Sequence, residues 1–286
     1  MNRGVFMKLF IEKFDNVDDL IDFSEDRFNS DIKEIVLDVI NKNKRIILLT
    51  GPSGSGKTTS AKKIVKEIKK NGREAVYLSM DNWFRTKSEF KIPLTEDGGY
   101  DYESPLCVNI DLLNQHLTDL LNGEKIRLPI YDFVNQKMIF GDKYIQISSD
   151  AIIVLEGLHA LNEFVKLDRS VVYRLLVCPQ NVEYKNISIT QKEIRLYRRI
   201  TRDSLHRGRT IDETVDMFKT VSRGEKLYLE PCIKDIDYYL NSFLEYEIFL
   251  HKSVLGDFQK LKDVENKGIS VENIPSASLM EEFYKK

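Results

Sequence analysis

The sequence predicts an α/β fold in which a parallel sheet is flanked by helices. Three observations carry that expectation. The runs RIILLT (45–50) and AIIVLEG (151–157) are short and almost wholly apolar, as strands buried on both faces of a parallel sheet must be. GPSGSGKTT (51–59) is a glycine-rich turn joining the first run to an amphipathic stretch. Strand-like and helix-like segments then alternate to about residue 261.

Taken in order, Ile32, Ile35, Val36, Val39 and Ile40 recur at helical spacing and predict a helix over 31–43. After RIILLT, SAKKIVKEIKKNG (60–72) reads as a helix closed by Asn71-Gly72, and EAVYLSM (74–80) as a second strand. Residues 81–108 lack a period and hold Gly98, Gly99 and Pro105, so a long loop is expected. NIDLLNQHLTDLLNG (109–123) is helical, and KIRLPIYDF and KMIFGDKYIQI are short strands, the second turning at Gly141-Asp142. Strands follow at 151–157 and 171–178, helices at 191–208 and 210–229, a last strand in DIDYYLN and a helix at 245–261. The organisation is an acidic N-terminal extension (1–44), one α/β domain (45–261) with an inserted hairpin subdomain near 81–146, and a C-terminal tail or small helix (262–286).

Composition narrows the functional classes. The 286 residues are 42% hydrophobic, with 43 basic and 45 acidic side chains and a net charge of −2. That balance excludes intrinsic disorder and argues against a positive coat for nucleic acid. Charge is unevenly spread, however. Residues 12–38 carry ten acidic side chains against Lys13, Arg27 and Lys33, whereas 191–209 carry seven basic ones against Glu193 and Asp203. Cys107, Cys178 and Cys232 are scattered without a CxxC pair and read as reduced thiols. No segment resembles a signal peptide or reaches the ~18 apolar residues of a membrane span. A cytoplasmic protein with neither membrane nor nucleic-acid partner is expected.

Gly51-Pro52-Ser53-Gly54-Ser55-Gly56-Lys57-Thr58 fits G-x-x-x-x-G-K-[ST] without a gap, and Thr59 follows it into the helix. In such a P-loop the backbone N–H groups of Gly51, Ser53, Gly54, Ser55 and Gly56 cradle phosphate oxygens, Lys57 reaches the β- and γ-phosphates, and Thr58 offers a hydroxyl to Mg²⁺. ATP and Mg²⁺ are the cofactors expected.

A P-loop alone does not separate a kinase from a switch or motor. Asp81 follows the second strand, at the carboxyl edge where open α/β sheets place ligands, and there it could take a proton from an attacking hydroxyl. Glu156 ends AIIVLEG, where an acid orients water on the metal. Arg195, Arg198, Arg199, Arg202 and Arg209 recur at spacings of three, four and seven. An apolar side containing Leu196, Ile200 and Leu205 anchors that helix, so it reads as an arginine lid over transferring phosphates.

The ordered set GPSGSGKTT, LSMDNWF (78–84), GYDYESP (99–105), LPIYDF (128–133), IIVLEGLHAL (152–161), RLYRRITRDSLHRGR (195–209) and EPCIKDIDYYLN (230–241) resembles the uridine kinase and phosphoribulokinase family of P-loop kinases. It is most similar to bacterial uridine-kinase-like nucleoside kinases, from about Arg45 to Leu261. The resemblance implies that Asp81 is the catalytic base, with Lys57, Arg195, Arg198 and Arg202 stabilising phosphate charge. It implies that a carboxylate at Asp101 or Glu103 holds the ribose, and that Tyr131 flanks the base. Trp83, beside Asp81, joins the substrate set, and Asp237 falls where the family approaches the ATP adenine. Where uridine kinases continue YDF with a histidine and an arginine, this chain has Gln136 and Met138; Gln136 can still pair with a base edge. The implied reaction is phosphoryl transfer to the 5′-hydroxyl of uridine or cytidine. The alternatives are a kinase of a sugar phosphate or pantothenate-like compound and a nucleotide-binding regulator. Family members commonly self-associate, so a homo-oligomer is also implied.

Overall fold

The computed structural model describes residues 6–285. After the short strand β1 (Phe6–Lys8), helix α1 (Val17–Asn41) begins at Asn16, whose side chain accepts the Asp19 N–H at 2.9 Å. The helix is fourteen residues longer at its start than the apolar spacing of 31–43 predicts, because Leu20, Ile21 and Phe28 extend its buried face through the acidic stretch. β2 (Ile46–Thr50), α2 (Lys57–Lys70) and β3 (Ala75–Ser79) follow, then α3 (Ile110–Leu121), β4 (Ile126–Asp132) and β5 (Lys137–Ile145). β6 (Ile152–Glu156), β7 (Val172–Cys178), β8 (Asn181–Tyr184) and β9 (Ile187–Ile189) lead into helices α4 (Gln191–Arg207) and α5 (Ile211–Gly224). A π-helical turn (Glu225–Leu229), β10 (Tyr238–Asn241), α6 (Glu247–Leu255) and α7 (Glu281–Tyr284) complete the described chain.

The main sheet has strand order β10-β7-β2-β6-β3, and every pair in it is parallel. β2 and β6 are buried at every position, as the four apolar residues that lead each of them require. With β2 central, all five carboxyl ends open on one edge, and the loops after β2, β3 and β6 meet there. α1 and α2 pack over one face, where Phe28, Ile35 and Val39 join Ile47, Leu49 and Val154 in one core. The opposite face is covered by α3 and the start of the hairpin. Each fully buried aliphatic side chain contributes about 1.5–3 kcal/mol.

Two local expectations are corrected. β5 runs straight through Gly141-Asp142, and the hairpin reverses instead over 133–136. There the Asp132 carboxylate accepts the N–H groups of Val134 and Asn135, both at 3.0 Å, and fixes the turn. The helix expected over 245–261 ends at Leu255, where Gly256 adopts a positive φ and the chain resumes as a 3₁₀ turn.

Candidate active site

At the carboxyl edge, the P-loop, the turn after β3, the end of β6 and one face of α4 enclose a cavity of about 260 Å³. Lys57, Thr58, Asp81, Glu103, Glu156 and Arg199 are among its walls. Glu156 closes β6 in register with Ser79 and gathers three hydroxyls on Oε1: Tyr77 at 3.0 Å, Ser79 at 3.1 Å and Thr58 at 3.3 Å. A hydroxyl and a carboxylate side by side are hard-oxygen donors of the kind Mg²⁺ shares with nucleotide phosphates. Ser55 Oγ is buried in the loop without a hydrogen-bond partner, an orphaned donor that a phosphate oxygen fits.

Asp81 stands on the 3₁₀ turn directly after β3. Its carboxylate is open to water in the cavity yet crowded by surrounding protein, which pushes its pKa up to about 6; Glu156 pushes the same way and Lys57 opposes both. Glu103 is raised further, to about 7, by burial and then by Glu225, against Arg199 and Lys57. His159, five per cent exposed, is driven down to about 4 by burial and is neutral.

The lid helix α4 starts on a capping box between Thr190 and Glu193. Its arginines divide into two groups. Arg199 and Arg202 line the cavity; Arg199 Nη1 donates to Ser53 Oγ at 2.5 Å, and Asp203 holds Arg202 at 3.0 Å. Arg195 instead donates to Ser53 O at 3.0 Å and to Glu225 at 2.8 Å. Glu225 in turn accepts the Ser53 N–H at 2.8 Å. Arg198 is wholly buried, doubly bonded to Glu247 at 2.8 Å and donating to Gly54 O at 3.1 Å. Arg195 and Arg198 therefore brace the backbone of the phosphate loop from behind, outside the cavity walls.

The other expected site residues are distributed as follows. Gly54, Ser55, Gly56 and Ser53 line the cavity, and Thr59 bonds at its margin to Glu282. Trp83 is turned away, fully buried in the core under α3, with Nε1 donating to His116 Nδ1 at 3.2 Å. Its neighbour Phe84 lines the cavity, and Tyr131 meets Phe84 edge-on at 5.4 Å. Of the two ribose candidates Glu103 faces the cavity, while Asp101 is two per cent exposed and bound to Tyr228 and Arg223. Gln136 sits on the exposed hairpin tip with φ 52°, outside the cavity walls. Asp237 lines neither this cavity nor its neighbour on the β7–β10 side. It precedes β10 beside Arg174 and turns toward the amino-terminal edge of the sheet, where Arg169 Nη2 meets it at 2.8 Å. A second cavity, of about 760 Å³, lies on the β7–β10 side and includes Tyr239, Gln191 and Arg195, the last of which also bonds Ser53 O.

Sequence reasoning missed Phe84, Tyr102, His159 and Glu282 as cavity residues. Arg199 was legible as part of the arginine run, but Glu282 belongs to no motif.

The sequence model of the Phosphoribulokinase / Uridine kinase family matches residues 46–248. The chain belongs to this family. It is thus a P-loop kinase of the uridine kinase and phosphoribulokinase type. A model described as Type II/IV secretion system protein also matches residues 5–79, the stretch around the P-loop. Among curated relatives, the uridine kinase of Limosilactobacillus reuteri (strain DSM 20016) is 30% identical over 201 residues, which cover 69% of this chain and 84% of that one. The uridine kinase of Bacillus cereus (strain G9842) is 30% identical over 200 residues, 68% of this chain and 84% of that one. The fold is shared with a D-glycerate 3-kinase from Cryptococcus neoformans at TM-score 0.51 and 13% identity, covering 71% of this chain and 90% of that one. A Silicibacter sp. TM1040 structure named as a fructose transport system kinase superposes at TM-score 0.54 and 16% identity, covering 73% and 98%. Among the described residues no helix is long and apolar enough to cross a membrane.

Proposed function

We propose that this chain transfers the γ-phosphoryl group of ATP to the 5′-hydroxyl of a pyrimidine nucleoside, uridine or cytidine. The observation that carries the reading is the shared cavity of Asp81, Lys57, Thr58 and Glu156. Thr58 and Glu156 would hold Mg²⁺, which would supply charge neutralisation on the transferring group. The acceptor oxygen bonds to the γ-phosphorus as its bond to the β–γ bridging oxygen breaks. The hydroxyl proton goes to Asp81, and ADP leaves. A carboxylate with a pKa of about 6 is largely ionised at neutral pH and basic enough to accept that proton. Lys57, Arg199 and Arg202 face the same space and oppose the charge that develops. The nucleotide base occupies the second cavity on the β7–β10 side.

The acceptor side offers Glu103 and a shelf of Phe84, Tyr102 and Tyr131, flat surfaces suited to a nucleobase. A second reading, a kinase of another small hydroxyl compound, draws support from the hairpin tip: Gln136 is solvent-exposed and outside the cavity walls, where it does not read a pyrimidine edge. ADP release measured with uridine, cytidine, ribulose 5-phosphate and pantothenate separates the readings. Stimulation by uridine or cytidine is expected. Stimulation by another acceptor alone moves the assignment to it, and ATP binding without any acceptor response overturns the kinase reading.

A further inference from the structure

The last residues of the chain carry a carboxylate into the phosphate cavity. α7 is seated by buried contacts on both sides of that carboxylate. Upstream, Leu279 is fully buried against Gly56, so closely that a Cβ on this glycine, already at φ +83°, would lie 2.7 Å from Leu279 Cδ1. Downstream, the Phe283 ring lies 5.2 Å from the Arg198 guanidinium, the group that holds Gly54 O, and the Tyr284 hydroxyl bonds His251 Nδ1. Between these anchors stands Glu282. Its Oε2 accepts Thr59 Oγ1 at 2.6 Å and the Thr59 N–H at 3.3 Å, across 223 residues of sequence. Glu282 lines the same cavity as Lys57, Thr58 and Glu156.

Thr59 is the third residue of α2, so its N–H has no carbonyl partner within the helix. Unpaired N–H groups at the start of a P-loop helix are the donors that hold a nucleotide's phosphates. In this chain a carboxylate already holds one of them, together with the adjoining hydroxyl. A phosphate arriving there meets both the loss of these donors and a like charge at close range.

We infer that Glu282 is an internal competitor for the phosphate chain of the nucleotide, so that the C-terminal segment sets nucleotide affinity. Binding swings the Glu282 side chain off Thr59 while Leu279 and Phe283 keep the segment seated. The inference rests on the reading of this cavity as a nucleotide site, and its test separates the two.

The experiment is a calorimetric titration of Mg·ADP into the full chain as wild type, Glu282→Gln, Glu282→Ala, Glu281→Gln and Lys57→Ala. Loss of the charge at 282 is expected to tighten binding about tenfold in both variants. Glu281, whose Oε2 instead accepts the Ala277 N–H at 2.9 Å, serves as the neighbouring-charge control and is expected to leave affinity as in wild type. Lys57→Ala is expected to weaken it. Unchanged or weaker binding in both Glu282 variants, with Lys57 still required, overturns the competitor role alone. Binding indifferent to Lys57, or absent from every protein, overturns the nucleotide-site reading and this inference with it. A gain in affinity is not an outcome that a merely structural contact produces.

Discussion

The Tyr228 hydroxyl donates to the Asp101 carboxylate at 2.7 Å, tying the π-helical turn after α5 to the loop that carries Glu103. Tyr228 also meets the ring of His159 edge-on, and Glu225 of the same turn holds the Ser53 N–H. One turn therefore touches both the loop of Asp101 and Glu103 and the phosphate loop, and π-helical turns recur at functional sites.

Tyr228→Phe leaves the Asp101 carboxylate short of a partner and loosens the acceptor loop. Losing a hydrogen bond to a buried charged group costs about 1.5–3 kcal/mol. The expected outcome is a raised KM for the acceptor with KM for ATP and kcat little changed. A change confined to KM for ATP would count against this role.

Gly224 has no room for a side chain: an added Cβ would lie 2.4 Å from Glu103 Cβ. Gly224→Ala is expected to push Glu103 out of position and raise the acceptor KM, and overpacking is expected to cost about 1–3 kcal/mol of stability, read as a lower melting temperature. Steady-state kinetics with thermal melting read both.

Asp81→Asn is expected to lower kcat by about 10²–10⁴ while ADP still binds. In the wild type, activity falls as pH drops through about 6, where the base takes up its proton, and is level above that. Stability has the opposite sign. A carboxylate whose folded pKa is raised contributes stability that is full below its ordinary value and lost as pH rises through about 6. Asp81→Asn therefore melts higher than wild type at about pH 8, and the gap closes toward about pH 4. Equal melting temperatures throughout would remove this assignment.

The two groups of lid arginines separate in measurement. Arg198→Met strands Glu247 as a buried, unpaired charge, and breaking such a pair costs about 3–5 kcal/mol, so melting temperature drops steeply. Arg199→Ala removes a guanidinium from the cavity and is expected to cut kcat about 10²–10³-fold with a smaller melting shift. The reverse pattern would return Arg198 to the catalytic set.

Much of this was legible in the residues. The central strands β2 and β6 announce themselves because burial on both faces leaves only their last residues, Thr50 and Glu156, polar, and the P-loop is a contiguous motif. β8 and β9 were not legible: NVEY and ISI are too short for a period, and β8 is completed by β1, more than 170 residues away. The hairpin turn was misread because Gly141-Asp142 is a turn signal, whereas the actual reversal is held by a side-chain carboxylate at Asp132. Helical spacing identified arginines on one face of α4, but it cannot say which of them a distant acid, Glu225 or Glu247, draws away from the cavity. Asp237 stands apart from the cavity because it directly precedes β10, and the start of a parallel strand lies at the edge opposite the carboxyl ends.

Glu25, in the N-terminal helix, accepts the Tyr246 hydroxyl at 3.0 Å and also the Ser278 hydroxyl from the C-terminal segment. Both flanks of the family-matched region are thus keyed into one another as well as into the sheet. Trimming the chain to residues 46–248 would strip Phe28, Val36, Leu279 and Phe283 from the common core. The segments outside the family's boundaries are integral to the folding unit, and a crystallisation or assay fragment has to keep them.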